Sequence, residues 1–150
     1  IIWTTGVSGS PVVADSGLKA RRGRVMVNDH LNDPDYPDLY ILGDVAAFVA
    51  PGKQRPYPTT AQIALSMADY TAEDLTERIK NGQRTAKTYS YKSLGTVASV
   101  GNTKAFGTAM GHPVKGYIGS FMKKMIMNRS LMEVGGVKEL LSKGRFDLYH

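Results

Sequence analysis

Apolar residues recur along this chain in two rhythms, one that predicts strands and one that predicts helices. Ile1-Ile2-Trp3-Thr4-Thr5-Gly6 reads as a strand running into a glycine turn, and Arg24-Val25-Met26-Val27-Asn28 as a short β-branched strand. Leu39-Tyr40-Ile41-Leu42 is an unbroken apolar run stopped by Gly43-Asp44, the pattern of a central strand buried on both faces. Turn chemistry fills residues 7–23 and 32–38, and the prolines and glycine of residues 51–58 exclude regular structure there. From Thr60 the spacing changes. Ile63, Ala64, Met67, Ala68, Tyr70, Thr71, Leu75 and Ile79 fall three and four apart, which predicts a helix to Asn81 that Gly82 ends. Thr59 followed by Gln62 fits a capping box at its start. Tyr89-Ser90-Tyr91, residues 96–100 and residues 104–107 then predict a short antiparallel meander. Ile118, Phe121, Met122, Met125 and Ile126 return to helical spacing, with Ser120, Lys123, Lys124 and Asn128 facing away. Gly135-Gly136 breaks this helix before a last short one carrying Val137, Leu140 and Leu141. The fold class is therefore α/β: strands plus one long helix, then a small meander and C-terminal amphipathic helices.

Composition narrows the functions. The chain has 150 residues, 42% of them apolar and 21% charged, enough for an ordinary core and unlike a disordered or fibrous chain. It has no cysteine, which excludes disulfides, thiolate metal sites and a cysteine nucleophile within these residues. His30, His112 and His150 have no metal-ligand spacing, so no metal site is expected. The longest apolar stretch, from Tyr40 to Ala50, contains Gly43 and Asp44 and is far short of a membrane span. The chain opens without an initiator Met or a signal-peptide pattern, and we expect it to be a fragment of a longer protein. Its net charge of +6 is uneven: residues 1–111 carry 12 basic and 10 acidic side chains, residues 112–150 carry 7 and 3. A basic tail with an apolar helical stripe fits an anionic membrane surface better than nucleic acid, for which no reader motif is present.

The segment with the clearest chemistry is Gly43-Asp44. A carboxylate at the end of a buried strand of an α/β sheet lies where such folds bind ligands, and glycine allows close approach to the backbone. That carboxylate can accept hydrogen bonds from sugar or polyol hydroxyls; the plainer alternative is an ordinary turn Asp. A second candidate is Pro58-Thr59-Thr60-Ala61-Gln62-Ile63-Ala64, because free N–H groups and the positive end of the dipole collect at a helix start.

Taken in order, the strand at Arg24–Asn28, the spacer with Pro37, and Gly43-Asp44 resemble the second FAD fingerprint of the two-dinucleotide-binding-domain flavoproteins. Ile2-Trp3-Thr4-Thr5-Gly6-Val7 resembles their return from the NADH domain to the FAD domain, and the resemblance covers residues 1–111. It implies that these residues are the C-terminal part of an FAD-binding domain, in which Asp44, beside Gly43, contacts the ribityl chain of FAD. Ala61-Gln62 is similar to the start of the Ala-Gln-x-Ala-x-Gln motif of type II NADH dehydrogenases. That similarity implies that Ala61 and Gln62 meet the edge of the flavin ring and that Gln62 also lines the quinone pocket. Ser66 stands where that motif has its second Gln. The plainer role of Gln62 is the capping box with Thr59, which would turn its side chain back onto the backbone.

Residues 117–143 resemble the amphipathic membrane-association tail of the same enzymes, and residues 112–150 are then a separate helical part. A core stripe or a dimer seam explains the same pattern. The resemblance implies an enzyme that passes electrons from NADH through FAD to a quinone, peripheral on the cytoplasmic face of the cell membrane. The isolated piece is expected to be inactive, and a homodimer is one way to cover its exposed strands. A soluble FAD-dependent NADH oxidase or ferredoxin reductase shares Asp44 but needs no membrane tail. His112-Pro113 lacks a nearby acidic partner, which argues against a disulfide reductase. A non-enzymatic basic interaction module would bind nucleic acid or protein and hold no flavin.

Overall fold

At Arg22-Gly23 the chain reverses with positive φ at both residues (54° and 69°), the signature of a two-residue type I′ hairpin. The computed structural model describes residues 8–93, 95–101 and 103–146. The strand expected at residues 1–6, and the Ile2–Val7 resemblance, lie outside them. The hairpin joins β1 (Ala20–Arg21) to β2 (Arg24–Met26), and β3 (Ala46–Ala47) pairs parallel with β2, giving the order β1-β2-β3. A short helix, α1 (Pro11–Asp15), precedes them, with Ser10 as N-cap and proline at its first position. Residue types alone predict turns there, although Ser-Pro is a helix-start signal.

The central strand expected at Leu39–Leu42 is not formed. Its backbone pairs with the preceding loop: the Asp33 N–H donates to Leu39 O and the Ile41 N–H to Leu31 O, both at 2.9 Å, around one bridge between Asn32 and Tyr40. Ile41 is buried, Leu39 is exposed, and Tyr40 turns towards a polar partner on the next helix. The parallel strand comes later, at β3, so Gly43-Asp44 lies in a tight turn (Gly43–Val45) that leads into a strand and does not follow one.

Helix α2 (Ala61–Asn81) forms where the apolar spacing predicts, and Gly82 ends it in the left-handed conformation (φ 68°). Two details differ. The N-cap is Thr60, whose hydroxyl accepts from the Ile63 N–H at 3.4 Å, so the expected Thr59–Gln62 box is absent. The buried face comprises Ile63, Met67, Thr71 and Asp74, while Leu75 and Ile79 are exposed. An acidic side chain thus takes the core position expected of an apolar one. Ile63 and Met67 pack with Val13, Val25, Val27, Leu31, Ile41, Phe48 and Tyr89. Tyr89 forms no strand; it stands edge-on to Phe48 at 5.0 Å and to Tyr70 at 5.6 Å.

The chain divides into two compact units, residues 1–91 and 92–150. In the second, β4 (Gly95–Val100), β5 (Lys104–Ala109) and β6 (His112–Lys115) form the expected meander, with its third strand at 112–115 and not at 89–91. The meander therefore shares a unit with the C-terminal helix. Helix α3 (Gly116–Lys143) lies on β5 and is interrupted at Gly136 (φ 68°, ψ −167°), at the predicted break. Gly119 allows the close approach, since a Cβ there would sit 3.0 Å from the Ala105 carbonyl oxygen. Ser120 and Asn128, expected to face away, are buried. Asn128 exchanges two hydrogen bonds with the Arg145 backbone (2.9 and 3.0 Å), tying the chain beyond the break back to the helix. The apolar stripe is left outward: Ile118 is 68% exposed, Phe121 49%, Met125 53% and Met132 52%.

These faces predict that Met67→Ala costs about 2–5 kcal/mol of unfolding free energy and Ile79→Ala less than about 0.5 kcal/mol, measured by urea denaturation.

Candidate functional site

Gly43 opens the turn with φ 68°, a conformation that favours glycine. Its N–H points at Met67 Sδ (3.3 Å), and a Cβ built on it would lie 3.5 Å from the Ala64 Cβ. The turn therefore rests on the first two turns of α2. Asp44, next along, is exposed and makes no hydrogen bond or ion pair among the described residues. A free carboxylate in this position can accept hydrogen bonds from a ligand's hydroxyls.

At the helix start, Ala61 and Gln62 are exposed. The Thr60 cap serves only the Ile63 amide, so the Ala61 and Gln62 N–H groups keep the unpaired donor character of a first turn. With no capping box, the Gln62 side chain is not folded onto the backbone and has no partner among the described residues. Ser66 is half-buried one turn further along. The structure thus brings Gly43-Asp44 onto the same end of α2 that carries Ala61 and Gln62.

Sequence reasoning missed the group that holds this arrangement. Asp74 is fully buried and accepts from the Tyr40 hydroxyl and, at 2.8 Å, from the Thr85 N–H. Arg78 donates to the Tyr40 hydroxyl (3.3 Å) and pairs with Asp38 at 2.6 Å. Arg84 lies 5.9 Å over the Tyr40 ring and donates to Asn32 Oδ1 and the Pro37 carbonyl, closing the loop from the other side. Burial alone pushes the Asp74 carboxyl up. The hydrogen bonds from Tyr40 and Thr85, with the Arg84 charge, outweigh it and hold the carboxyl below its ordinary value. Asp74 was legible only as an acid at i+7 from Met67, on the face the apolar spacing assigns to the core. Nearby, His30 Nδ1 meets the Tyr70 hydroxyl at 2.6 Å, and burial is the main cause that pushes the Tyr70 phenol up to about 12.

A carboxyl that titrates lower in the fold adds stability above its unfolded value of 3.8 and loses it as pH falls through the folded value. The stability gap between the wild-type chain and Asp74→Asn should therefore narrow as pH falls from about 5 towards 2, read by denaturant melts at each pH.

No protein-family model matches the chain. It is 36% identical over 145 residues to the type II NADH:quinone oxidoreductase of Staphylococcus aureus, an alignment that takes in 97% of this chain and 36% of that protein. The proteins of the same name from Staphylococcus haemolyticus and Staphylococcus saprophyticus are 37% and 36% identical, again over 97% of this chain and 36% of their own length. The chain spans about a third of the length of the curated relatives it matches. Over nearly its whole length, then, this α/β chain is similar to one segment of the type II NADH:quinone oxidoreductases.

Proposed function

We propose that this chain is the part of an FAD-dependent NADH:quinone oxidoreductase that grips the polyol chain of the flavin and flanks its ring. The observation that supports the reading is the packing of the Gly43 turn on Ala64 and Met67, with the Asp44 carboxylate unpaired among the described residues and the first-turn amides of Ala61 and Gln62 on the same helix end. These residues fit FAD: a free carboxylate suits ribityl hydroxyls, and helix-start N–H groups suit an electron-rich ring edge. FAD, when bound, supplies the acceptor for a hydride from NADH and the donor of two electrons to a quinone. The chain's own work is positional. Asp44 accepts from the ribityl hydroxyls, Gly43 lets the polyol approach the backbone, and the α2 N-terminus offers N–H groups and a positive field. Gln62, whose amide is unengaged among the described residues, would line the quinone pocket beside the flavin.

The reading also sets the protein peripherally on the cytoplasmic face of the membrane, and the second unit supports the peripheral part of it. No helix among the described residues is long and apolar enough to span a bilayer. Helix α3 presents Ile118, Phe121, Met125 and Met132 outward before its break, with Lys123 and Lys124 on the same stretch and Lys138 and Lys143 beyond it, a combination that suits an anionic interface. On this reading, residues 1–111 complete the flavin-binding part and residues 112–150 form the membrane-association tail; a homodimer seam is the competing use of the stripe.

Two measurements test the proposal. The full-length protein that carries this chain should show a flavin absorption spectrum that bleaches with NADH and returns with a quinone analogue, and Asp44→Ala should lower its FAD content at least fivefold. A colourless protein contradicts the proposal. Removing residues 112–150 should reduce co-sedimentation with anionic vesicles; unchanged binding removes the membrane role.

A further inference from the structure

The segment that delivers Asp44 to the helix start runs antiparallel to α2 and is fastened to it along its length. Asp38 is held by Arg78 (2.6 Å), Tyr40 by Asp74, and Gly43 by Met67 (3.3 Å), with Ala64 beside it. From residue 38 to residue 43 an extended chain covers about 17 Å, and from residue 78 to residue 64 the helix covers about 21 Å. The two run nearly in step, so a slip of one residue would move Asp44 by about 3 Å against Ala61 and Gln62.

The contacts differ in how firmly they fix that register. The packing of Gly43 on Ala64 and Met67 is apolar or weakly polar and tolerates sliding. Asp38 is mostly exposed (85%), so its pair with Arg78 is screened by water. The Tyr40–Asp74 hydrogen bond is directional and charge-assisted, and its acceptor is fully buried, so no water replaces it if the segment slips. Asp74 is itself fixed by the Thr85 N–H, and the Tyr40 ring is backed by Arg84. Arg78 also donates to the Tyr40 hydroxyl at 3.3 Å, a longer bond from a side chain that reaches solvent.

We infer that Asp74, acting through the Tyr40 hydroxyl, is a positioning residue that sets where along α2 the Gly43-Asp44 turn sits, and so sets the grip of Asp44 on the flavin's polyol chain. The inference rests on the reading of Asp44 proposed above. It differs from a general stabilising role because its effect on flavin must pass through Asp44.

A double-mutant cycle separates the two. In the full-length protein stripped of flavin, the dissociation constant for added FAD is measured by flavin fluorescence for wild type, Tyr40→Phe, Asp44→Ala and the double variant. Tyr40→Phe should weaken binding about tenfold, and the double variant should bind no more weakly than Asp44→Ala alone. Val13→Ala, which loosens the core elsewhere, should keep wild-type affinity. If Tyr40→Phe does not fold, Arg78→Gln, which loses the second donor to the same hydroxyl, should show the same dependence on Asp44 with a smaller change. Unchanged affinity in Tyr40→Phe, losses that multiply in the double variant, or an equal loss in Val13→Ala overturns the inference and leaves the flavin reading standing. Unchanged affinity in Asp44→Ala overturns both.

Discussion

A carboxylate on the buried face of helix α2 governs the geometry of the first unit. Asp74 has no exposure to water, so its charge is tolerable only while the Tyr40 hydroxyl and the Thr85 amide both donate to it. Meeting that demand pulls Tyr40 out of the register of a two-faced buried strand and draws the chain after the helix back across it. It also sets residues 38–43 along the helix towards its N-terminus. The Gly43 turn arrives at the first turns of α2 as a consequence, and β3 follows it to pair with β2.

This explains which parts of the structure are readable from residue order. Helix α2 shows itself by spacing and ends at Gly82, because a left-handed C-cap is a local property of glycine. The break at Gly136 and the meander are legible for the same reason, since turns and short-range pairing depend on neighbours in sequence. The strand expected at Leu39–Leu42 fails because apolar content cannot tell a segment paired in a sheet from one laced to a helix by a single hydroxyl. The rotated face of α2 fails likewise: the spacing puts position 74 on the core face, but residue type gives an aspartate to solvent unless its distant donors at residues 40 and 85 are known. The cap shifts from Thr59 to Thr60 because two adjacent threonines compete for one role, and that shift leaves Gln62 unengaged.

The candidate site shows a similar split. Gly43, Asp44, Ala61 and Gln62 stand out by residue type and by resemblance, and tertiary contacts bring them to one end of α2. What holds them there is invisible to motif reading. In the second unit the helix meets its sheet at Gly119, and Ser120 and Asn128, polar positions that an amphipathic wheel places outside, are buried. The large apolar side chains of α3 are then free for another surface, and basic residues on the same helix suit an anionic one.

The account stands or falls on whether the turn at residues 43–45 and the helix start at residues 61–62 act as one flavin-binding surface. Amide hydrogen exchange on the flavin-free, full-length protein, followed before and after adding FAD, reads this directly. The account predicts that the amides of residues 43–45 and of Ala61 and Gln62 gain protection together. Protection at neither place, or at one without the other, would contradict it.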